Sequence, residues 1–333
     1  MKTNTQTIEI FASQSEQRAY EVVAEIDKIR VGHPFYEGAL SGINECLKAS
    51  VFSREPVNCM LLGKGGVGKT SMAEMIKASM KPEIIRENDL ETKTVPAFYA
   101  SFKSATSLNS LLVDMLTKLG DPYPTSGTVD VKAHRFYKLL IQCRTKIIFL
   151  DELHDIEGFK ARNYPAMQKF IKVLKAISNE RGPVTCLMGI PECHDLFRGD
   201  QEMSRRFKRQ VFLRELSPGT EGEPGLLQNF VSDVYDAVIE STEIKGFPSL
   251  SYSLALQIYT ATGGSPDYIM TLIKESVLHA MLNGRKNVEI GDYANTWANG
   301  LLNGADIGKK IRVGFNPFLA NQAKLASMFR EGL

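Results

Sequence analysis

The stretch Gly63-Lys64-Gly65-Gly66-Val67-Gly68-Lys69-Thr70 decides how the rest of this sequence is interpreted. It matches the pattern GxxxxGK[ST], in which glycines let the backbone curl so that successive N–H groups point at phosphate oxygens. A short apolar strand is predicted before it, over residues 57–62, and a helix without Gly or Pro follows over residues 70–80. This order of strand, glycine-rich loop and helix predicts a nucleotide-binding P-loop.

The residues of this loop have separate predicted roles. Lys69 is expected to reach the β- and γ-phosphates, and Thr70 to offer its hydroxyl to Mg²⁺. The predicted cofactors are therefore ATP and Mg²⁺. The other residues expected to contact the nucleotide are Gly63, Lys64, Gly65, Gly66, Val67, Gly68 and Ser71.

A second motif follows about 80 residues later, where four apolar residues over 147–150 lead into Asp151 and Glu152. In open parallel sheets, ligands bind outside the carboxyl ends of the strands. Asp151 is expected to hold the Mg²⁺ shell and Glu152 to polarise the attacking water, because phosphoryl transfer depends on positioning and charge control. A Glu directly after the Asp is typical of the group of P-loop ATPases that includes AAA+ proteins, helicases and transporters. The sequence lacks the transporter signature loop and the further helicase motifs.

Strands and helices alternate through the first two thirds of the chain. Strands are predicted over 57–62, 95–102, 146–150, 184–188 and 210–216, with helices between them. This alternation predicts an α/β fold with a parallel five-stranded sheet flanked by helices. A Gly- and Pro-rich stretch over 217–225 reads as a linker, and the pattern beyond it is helical. Four regions are therefore predicted: an N-terminal arm and helices over 1–50, the ATPase core over 51–217, a helical lid over 218–302 and a C-terminal tail over 303–333.

The composition narrows the class of protein. The formal net charge is +2, so overall charge neither indicates nor excludes nucleic-acid binding. Five cysteines without a CxxC pair predict reduced core thiols, not a zinc site. No apolar run reaches the roughly 18 residues of a membrane helix, and the N-terminus lacks the apolar core of a signal peptide. A cytoplasmic protein without a membrane partner is expected.

The segment 200–207 contains two adjacent arginines between the fourth and fifth predicted strands. In AAA+ proteins an arginine finger lies at this point and faces the ATP of the neighbouring subunit, where its charge stabilises the transition state. Arg205 and Arg206 are the candidates, and Arg206, which precedes Phe207, is favoured. A solvent-exposed basic helix end is the alternative.

Together these motifs resemble the TniB/TnsC family, the AAA+ target-selection ATPases of DNA transposons. The stretches that carry the resemblance are His33-Pro34-Phe35, the helix over 168–174, Gly189-Ile190-Pro191-Glu192, Ser204-Arg205-Arg206-Phe207, Thr262-Gly263-Gly264 with the helix after it, and Asn316-Pro317-Phe318. The length and tail are similar to TnsC proteins of CRISPR-associated transposons. Two positions depart from the usual AAA+ pattern: Ile190 stands where a polar sensor is common, and Asp267 where a second sensor arginine is common. Both departures favour a weak, partner-stimulated ATPase.

The resemblance implies a mechanism and a set of partners. Such proteins assemble as rings or filaments on double-stranded DNA when ATP is bound, and link a TniQ-type target-selection protein to a TnsA/TnsB-type transposase. The basic residues expected to face DNA phosphates are Lys103, Lys118, Arg135, Lys160 and Arg162. The tail, with Phe315, Phe318, Leu319 and Phe329, is expected to contact the transposase. A tail packed on its own lid is the alternative.

Two other functions fit the same motifs. One is a different AAA+ role, such as a replication initiator or helicase loader, although an initiator would typically add a helix-turn-helix domain. The other is a P-loop scaffold switch that binds no DNA. Nucleotide-dependent assembly on duplex DNA separates both from the transposition hypothesis.

Overall fold

A computed structural model describes residues 13–87, 90–104, 107–155, 165–178, 182–300 and 315–330 of the chain. Internal contacts divide it into two compact units. One is Pro34–Arg214, and the other combines Met1–His33 with Glu215–Leu333. Within the described residues, no helix has both the length and the apolar character needed to cross a membrane.

The unit Pro34–Arg214 is built on a parallel five-stranded sheet, which confirms the predicted fold class. Its strands are β1 (Cys59–Leu62), β4 (Ala97–Ser101), β5 (Ile147–Asp151), β6 (Val184–Gly189) and β7 (Arg209–Phe212), in the spatial order β4-β5-β6-β1-β7. Every residue of β1, β5 and β6 is buried, as expected for strands that are covered on both faces. The sheet therefore brings the carboxyl ends of β1 and β5 to either side of β6.

Within the described residues of this unit, six α-helices accompany the sheet. They are α2 (Pro34–Phe52), α3 (Lys69–Ser79), α4 (Leu108–Lys118), α5 (Val129–Gln142), α6 (Pro165–Ile177) and α7 (Gln201–Arg206). A short antiparallel hairpin, β2 (Ile84–Glu87) and β3 (Leu90–Lys93), separates α3 from β4 and was not predicted from the sequence. All five cysteines lie in this unit as buried free thiols.

The second unit is helical. It contains α1 (Gln14–Ile26), α8 (Leu226–Ser241), α9 (Tyr252–Thr262), α10 (Pro266–Leu282), α11 (Ile290–Ala298) and α12 (Gln322–Arg330). The first helix belongs here because it buries Ala19, Val22 and Ile26 in an apolar stripe and packs mainly against α10. Ion pairs from Arg18 to Glu243 and from Lys274 to Asp27 hold it at its edges.

The units differ from the four predicted regions in the placement of the N-terminal helices. These helices do not form a unit of their own: α1 joins the helical unit, whereas α2 packs on β7 and contributes Ala39, Ile43 and Cys46 to the core beside the sheet. The apolar face of each helix decides this division, since each must be buried against a different partner.

The described part of the tail packs on the helical unit, which is the alternative to a partner contact. Phe318 is buried with its ring 5.5 Å from that of Tyr293. The indole N–H of Trp297 donates to the carbonyl of Phe315 at 2.9 Å, and the Asn316 amide donates to the carbonyl of Ala294 at 2.9 Å. Phe315, Asn316 and Phe318 therefore pack on the helical unit, and Leu319 is left 78% exposed.

Candidate nucleotide-binding site

The P-loop occupies the turn between the end of β1 and the start of α3. Gly68 has a φ of 97°, a left-handed conformation that an L side chain rarely adopts. A Cβ on Gly63 would lie 2.6 Å from the carbonyl oxygen of Leu213, so the loop also needs glycine for close packing. The Gly63 N–H donates to the carbonyl of Gly189 at 3.0 Å, which fixes the loop beside the end of β6.

Lys69 lies beneath this loop. Its ammonium donates hydrogen bonds to the carbonyls of Gly63 at 2.7 Å and Lys64 at 2.8 Å, and the residue is only 8% exposed. Burial lowers the pKa of Lys69, while the negative charges of Asp151 and Glu152 oppose that shift. The predicted contact with phosphate oxygens would require the side chain to leave these carbonyls.

Asp151, the last residue of β5, holds the centre of the site. Its Oδ2 accepts hydrogen bonds from the Thr70 hydroxyl at 2.8 Å and from the Tyr99 hydroxyl at 2.9 Å. Its Oδ1 accepts from the backbone N–H of Glu152 at 2.8 Å, and the residue is 1% exposed. A hydroxyl and a carboxylate in contact are hard oxygen ligands, so these residues fit the Mg²⁺ that the motifs predict.

Glu152 follows Asp151 in an unusual backbone conformation. Its φ is 58°, which is uncommon for a residue other than glycine and is typical of functional positions. Its carboxylate lies 3.3 Å from Nε2 of His154, and its side chain is 30% exposed. The Glu152 carboxylate is therefore partly exposed beside His154, whereas the Asp151 carboxylate is buried and accepts from Thr70 and Tyr99.

The end of β6 carries no polar sensor at Ile190. This residue precedes a short 3-10 turn, Pro191–Asp195, and is partly buried against the core. Asp267, the other position that departs from the AAA+ pattern, lies in the first turn of α10 in the helical unit. Neither observation measures the rate of hydrolysis, so the weak activity stays a prediction.

The two candidate arginines lie near the amino-terminal ends of the strands, whereas the P-loop follows the carboxyl-terminal end of β1. This follows because α7 ends just before β7 begins, and Arg209 of β7 is in register with Cys59 at the start of β1. Arg206 is 15% exposed, donates to the carbonyl of Ser178 and pairs with Glu202 at 3.1 Å. Arg205 is exposed and makes no hydrogen bond or ion pair within the described residues. An arginine here could serve only a neighbouring molecule's site, and Arg205 has the more available guanidinium.

The predicted DNA-facing residues differ in their surroundings. Lys103 is exposed in a 3-10 turn, Phe102–Ser104, directly after β4. Lys118 pairs with Asp114 at 2.7 Å on α4. Arg135 donates to the Asp121 carboxylate at 2.9 Å and to two carbonyls of the loop 121–126, an arrangement that favours a structural role. Lys160 and Arg162 lie outside the described residues.

Sequence reasoning missed two side chains that contact the motif residues, Tyr99 and His154. Tyr99 lies on β4, the strand next to β5, two residues before β4 ends. Because side chains alternate along a strand, the position of Tyr99 on the same face as the strand's last residue could have been predicted. His154 comes two residues after Glu152 in a 3-10 turn, and no residue pattern predicts that turn.

The architecture is that of AAA+ P-loop ATPases. The structure is similar to that of Cdc6p from Pyrobaculum aerophilum, with a TM-score of 0.57 and 16% identity over 83% of this chain and 70% of that one. It is also similar to the Aeropyrum pernix ORC1 protein, solved in complex with DNA, with a TM-score of 0.58 and 15% identity over 85% of this chain and 69% of that one. At these identities the likeness shows the fold alone.

The family described as bacterial TniB protein matches residues 25–215, which include both motifs of the site. No curated protein matches the chain significantly.

Proposed function

Since this chain belongs to the bacterial TniB protein family, we propose that it is an ATPase that regulates DNA transposition. It binds ATP with Mg²⁺, oligomerises on double-stranded target DNA, and bridges a TniQ-type target-selection protein to the transposase. The observation that carries this proposal is the 2.8 Å hydrogen bond between Thr70 and Asp151, which joins the P-loop to the acidic motif in one site.

The chain's own residues divide the work of this site. The loop N–H groups and Lys69 bind the phosphates, and Thr70 with Asp151 would hold Mg²⁺, which supplies positive charge that stabilises the phosphoryl group being transferred. Glu152 orients the attacking water and accepts its proton. An arginine from the next subunit, Arg205 or Arg206, adds positive charge at the γ-phosphate, so hydrolysis requires assembly.

DNA binding in this proposal depends on phosphate contacts. Lys103 is the best-placed candidate because it is exposed and lies two residues beyond the end of β4, whose Ser101 is in register with Asp151. Contacts to phosphates position a protein without reading sequence, which suits a protein that must accept many targets.

Electron microscopy of the full chain with a duplex of about 60 base pairs tests the proposal. Rings or filaments are expected on DNA with ATP or a non-hydrolysable analogue, and not with ADP or without nucleotide. DNA binding that is equally strong with and without nucleotide would favour an initiator-like role. Nucleotide binding without any DNA binding would favour a scaffold switch. Either result would contradict the proposal.

Bridging needs a second measurement. Nucleotide-dependent assemblies on DNA should retain both a TnsA/TnsB-type transposase and a TniQ-type protein in a pull-down on immobilised duplex. Retention of neither partner, with assembly intact, would limit the function to DNA coating.

A further inference from the structure

Tyr99 makes a contact that its packing does not require. The ring lies partly buried against the core beside the sheet, a position that phenylalanine would fill equally well. The hydroxyl, however, donates to Oδ2 of Asp151 at 2.9 Å, the oxygen that also accepts from Thr70. The hydroxyl therefore contacts the acidic motif, whereas the ring packs against the core.

Strand geometry explains how Tyr99 reaches this carboxylate. On parallel strands β4 and β5, Ser101 is in register with Asp151 and Tyr99 with Phe149. Residues 99 and 101 share one face of β4, because successive side chains alternate. Tyr99 is thus the diagonal neighbour of Asp151, at a spacing that only a long or aromatic side chain can span.

We propose that Tyr99 is a positioning residue for Mg²⁺: its hydroxyl holds the Asp151 carboxylate in the orientation that binds the metal. The proposal rests on the proposed function, because it assumes that Asp151 and Thr70 hold Mg²⁺. The Asp151 carboxylate is held at both oxygens. Oδ2 accepts from two hydroxyls and Oδ1 from the Glu152 N–H, and together these bonds restrict its rotation. Since Thr70 donates its proton to Asp151, the lone pairs of its oxygen stay available to a cation.

Outer hydrogen bonds of this kind orient metal ligands, and their loss typically weakens metal binding about 10–100-fold. The variant Tyr99→Phe removes the hydroxyl and keeps the ring. It should raise the Mg²⁺ concentration needed for half-maximal binding of a fluorescent ATP analogue at least about tenfold. Binding of the same analogue in EDTA should stay at the wild-type level, because the phosphate cradle is intact.

The matched control is Tyr235→Phe. Tyr235 also has a buried hydroxyl in a hydrogen bond, 2.7 Å from that of Tyr293, but in the helical unit. Its loss should leave the Mg²⁺ dependence of nucleotide binding unchanged. An equal shift in both tyrosine variants, or a Tyr99→Phe effect of the same size with and without Mg²⁺, would overturn the positioning role.

Asp151→Asn separates this inference from the proposed function. If Asp151→Asn shifts the Mg²⁺ dependence and Tyr99→Phe does not, the role of Tyr99 is wrong and the metal site stands. If neither variant shifts it, the metal assignment itself is wrong. Should Tyr99→Phe not fold, 3-fluorotyrosine at position 99 replaces it: its ¹⁹F resonance should shift when Mg²⁺ is added to the ADP-loaded chain, and an unchanged resonance would contradict the proposal.

Discussion

The Thr70 hydroxyl donates a 2.8 Å hydrogen bond to the Asp151 carboxylate, although 81 positions separate the two residues in sequence. The bond joins a helix start to a strand end across β6, the strand between β1 and β5. The glycine-rich loop, the Thr70 hydroxyl and the Asp151 carboxylate therefore lie together at the carboxyl ends of the strands, as the proposed nucleotide and Mg²⁺ site requires.

Lys69→Ala should abolish ATP binding and, with it, assembly on DNA. The ammonium that now contacts two loop carbonyls is the group that would meet the phosphates. Fluorescent-nucleotide binding and electron microscopy on duplex DNA measure the two effects, and Lys77→Ala, an exposed lysine of the same helix, is the control. A Lys69→Ala protein that still coats DNA would leave the ATPase assignment intact but remove nucleotide control of assembly.

Glu152→Gln should bind ATP normally but hydrolyse it about 10²–10⁴-fold more slowly, the usual contribution of a general base. Assemblies on DNA should persist longer, because their nucleotide is retained. Phosphate release and filament lifetime are the measurements, with Glu74→Gln on the exposed side of α3 as the control. Unchanged hydrolysis would mean that another group activates the water.

Alanine variants of the two arginines should differ in melting temperature, and the arginine that serves as the finger should act on the ATP of a neighbouring subunit. Arg206→Ala should lower the melting temperature because Arg206 contacts Ser178 and Glu202, whereas Arg205→Ala should leave it unchanged. If Arg205 is the finger, Arg205→Ala alone should hydrolyse poorly. Mixing it with Glu152→Gln, which should still bind ATP and assemble, should restore activity through the intact arginine of the second variant. If mixing restores hydrolysis to Arg206→Ala but not to Arg205→Ala, Arg206 is the finger instead.

Lys103→Glu should weaken ATP-dependent DNA binding and reduce the slope of log affinity against log salt by about one, because one phosphate contact is lost. Fluorescence anisotropy at several salt concentrations measures both. Lys48→Glu, the same charge reversal at an exposed position of α2, is the control. Equal effects of both variants would indicate general electrostatics instead of a DNA-facing segment.

Phe318→Ala should destabilise the helical unit by about 3–5 kcal/mol, the usual cost of truncating a buried aromatic side chain. Chemical unfolding measures this loss. Leu319→Ser should leave stability unchanged, because Leu319 is 78% exposed. Leu319→Ser is therefore the cleaner test of whether the tail contacts the transposase: a stable variant that no longer recruits it would support that role, and normal recruitment would contradict it.

Several features were predictable because local chemistry determines them. The P-loop needs glycine at Gly63 and Gly68, and the fully buried runs of β1, β5 and β6 need apolar residues on both faces. The hairpin β2–β3 was missed because its eight residues, among them Arg86 and Glu91, lack the apolar alternation that marks a strand. The packing of Phe318 on Tyr293 could not be chosen over a partner contact from the sequence, because Phe318 has the same local sequence in both cases.

The sequence by itself determined the phosphate loop, the acidic strand end and the α/β class, since each follows from residue types at fixed short spacings. Only the tertiary structure decided that Tyr99 shares an oxygen of Asp151 with Thr70, that Arg206 donates to the carbonyl of Ser178 and that α1 packs in the helical unit. These relationships join residues far apart in the chain. They depend on strand order and on which apolar faces meet, and no local pattern records either.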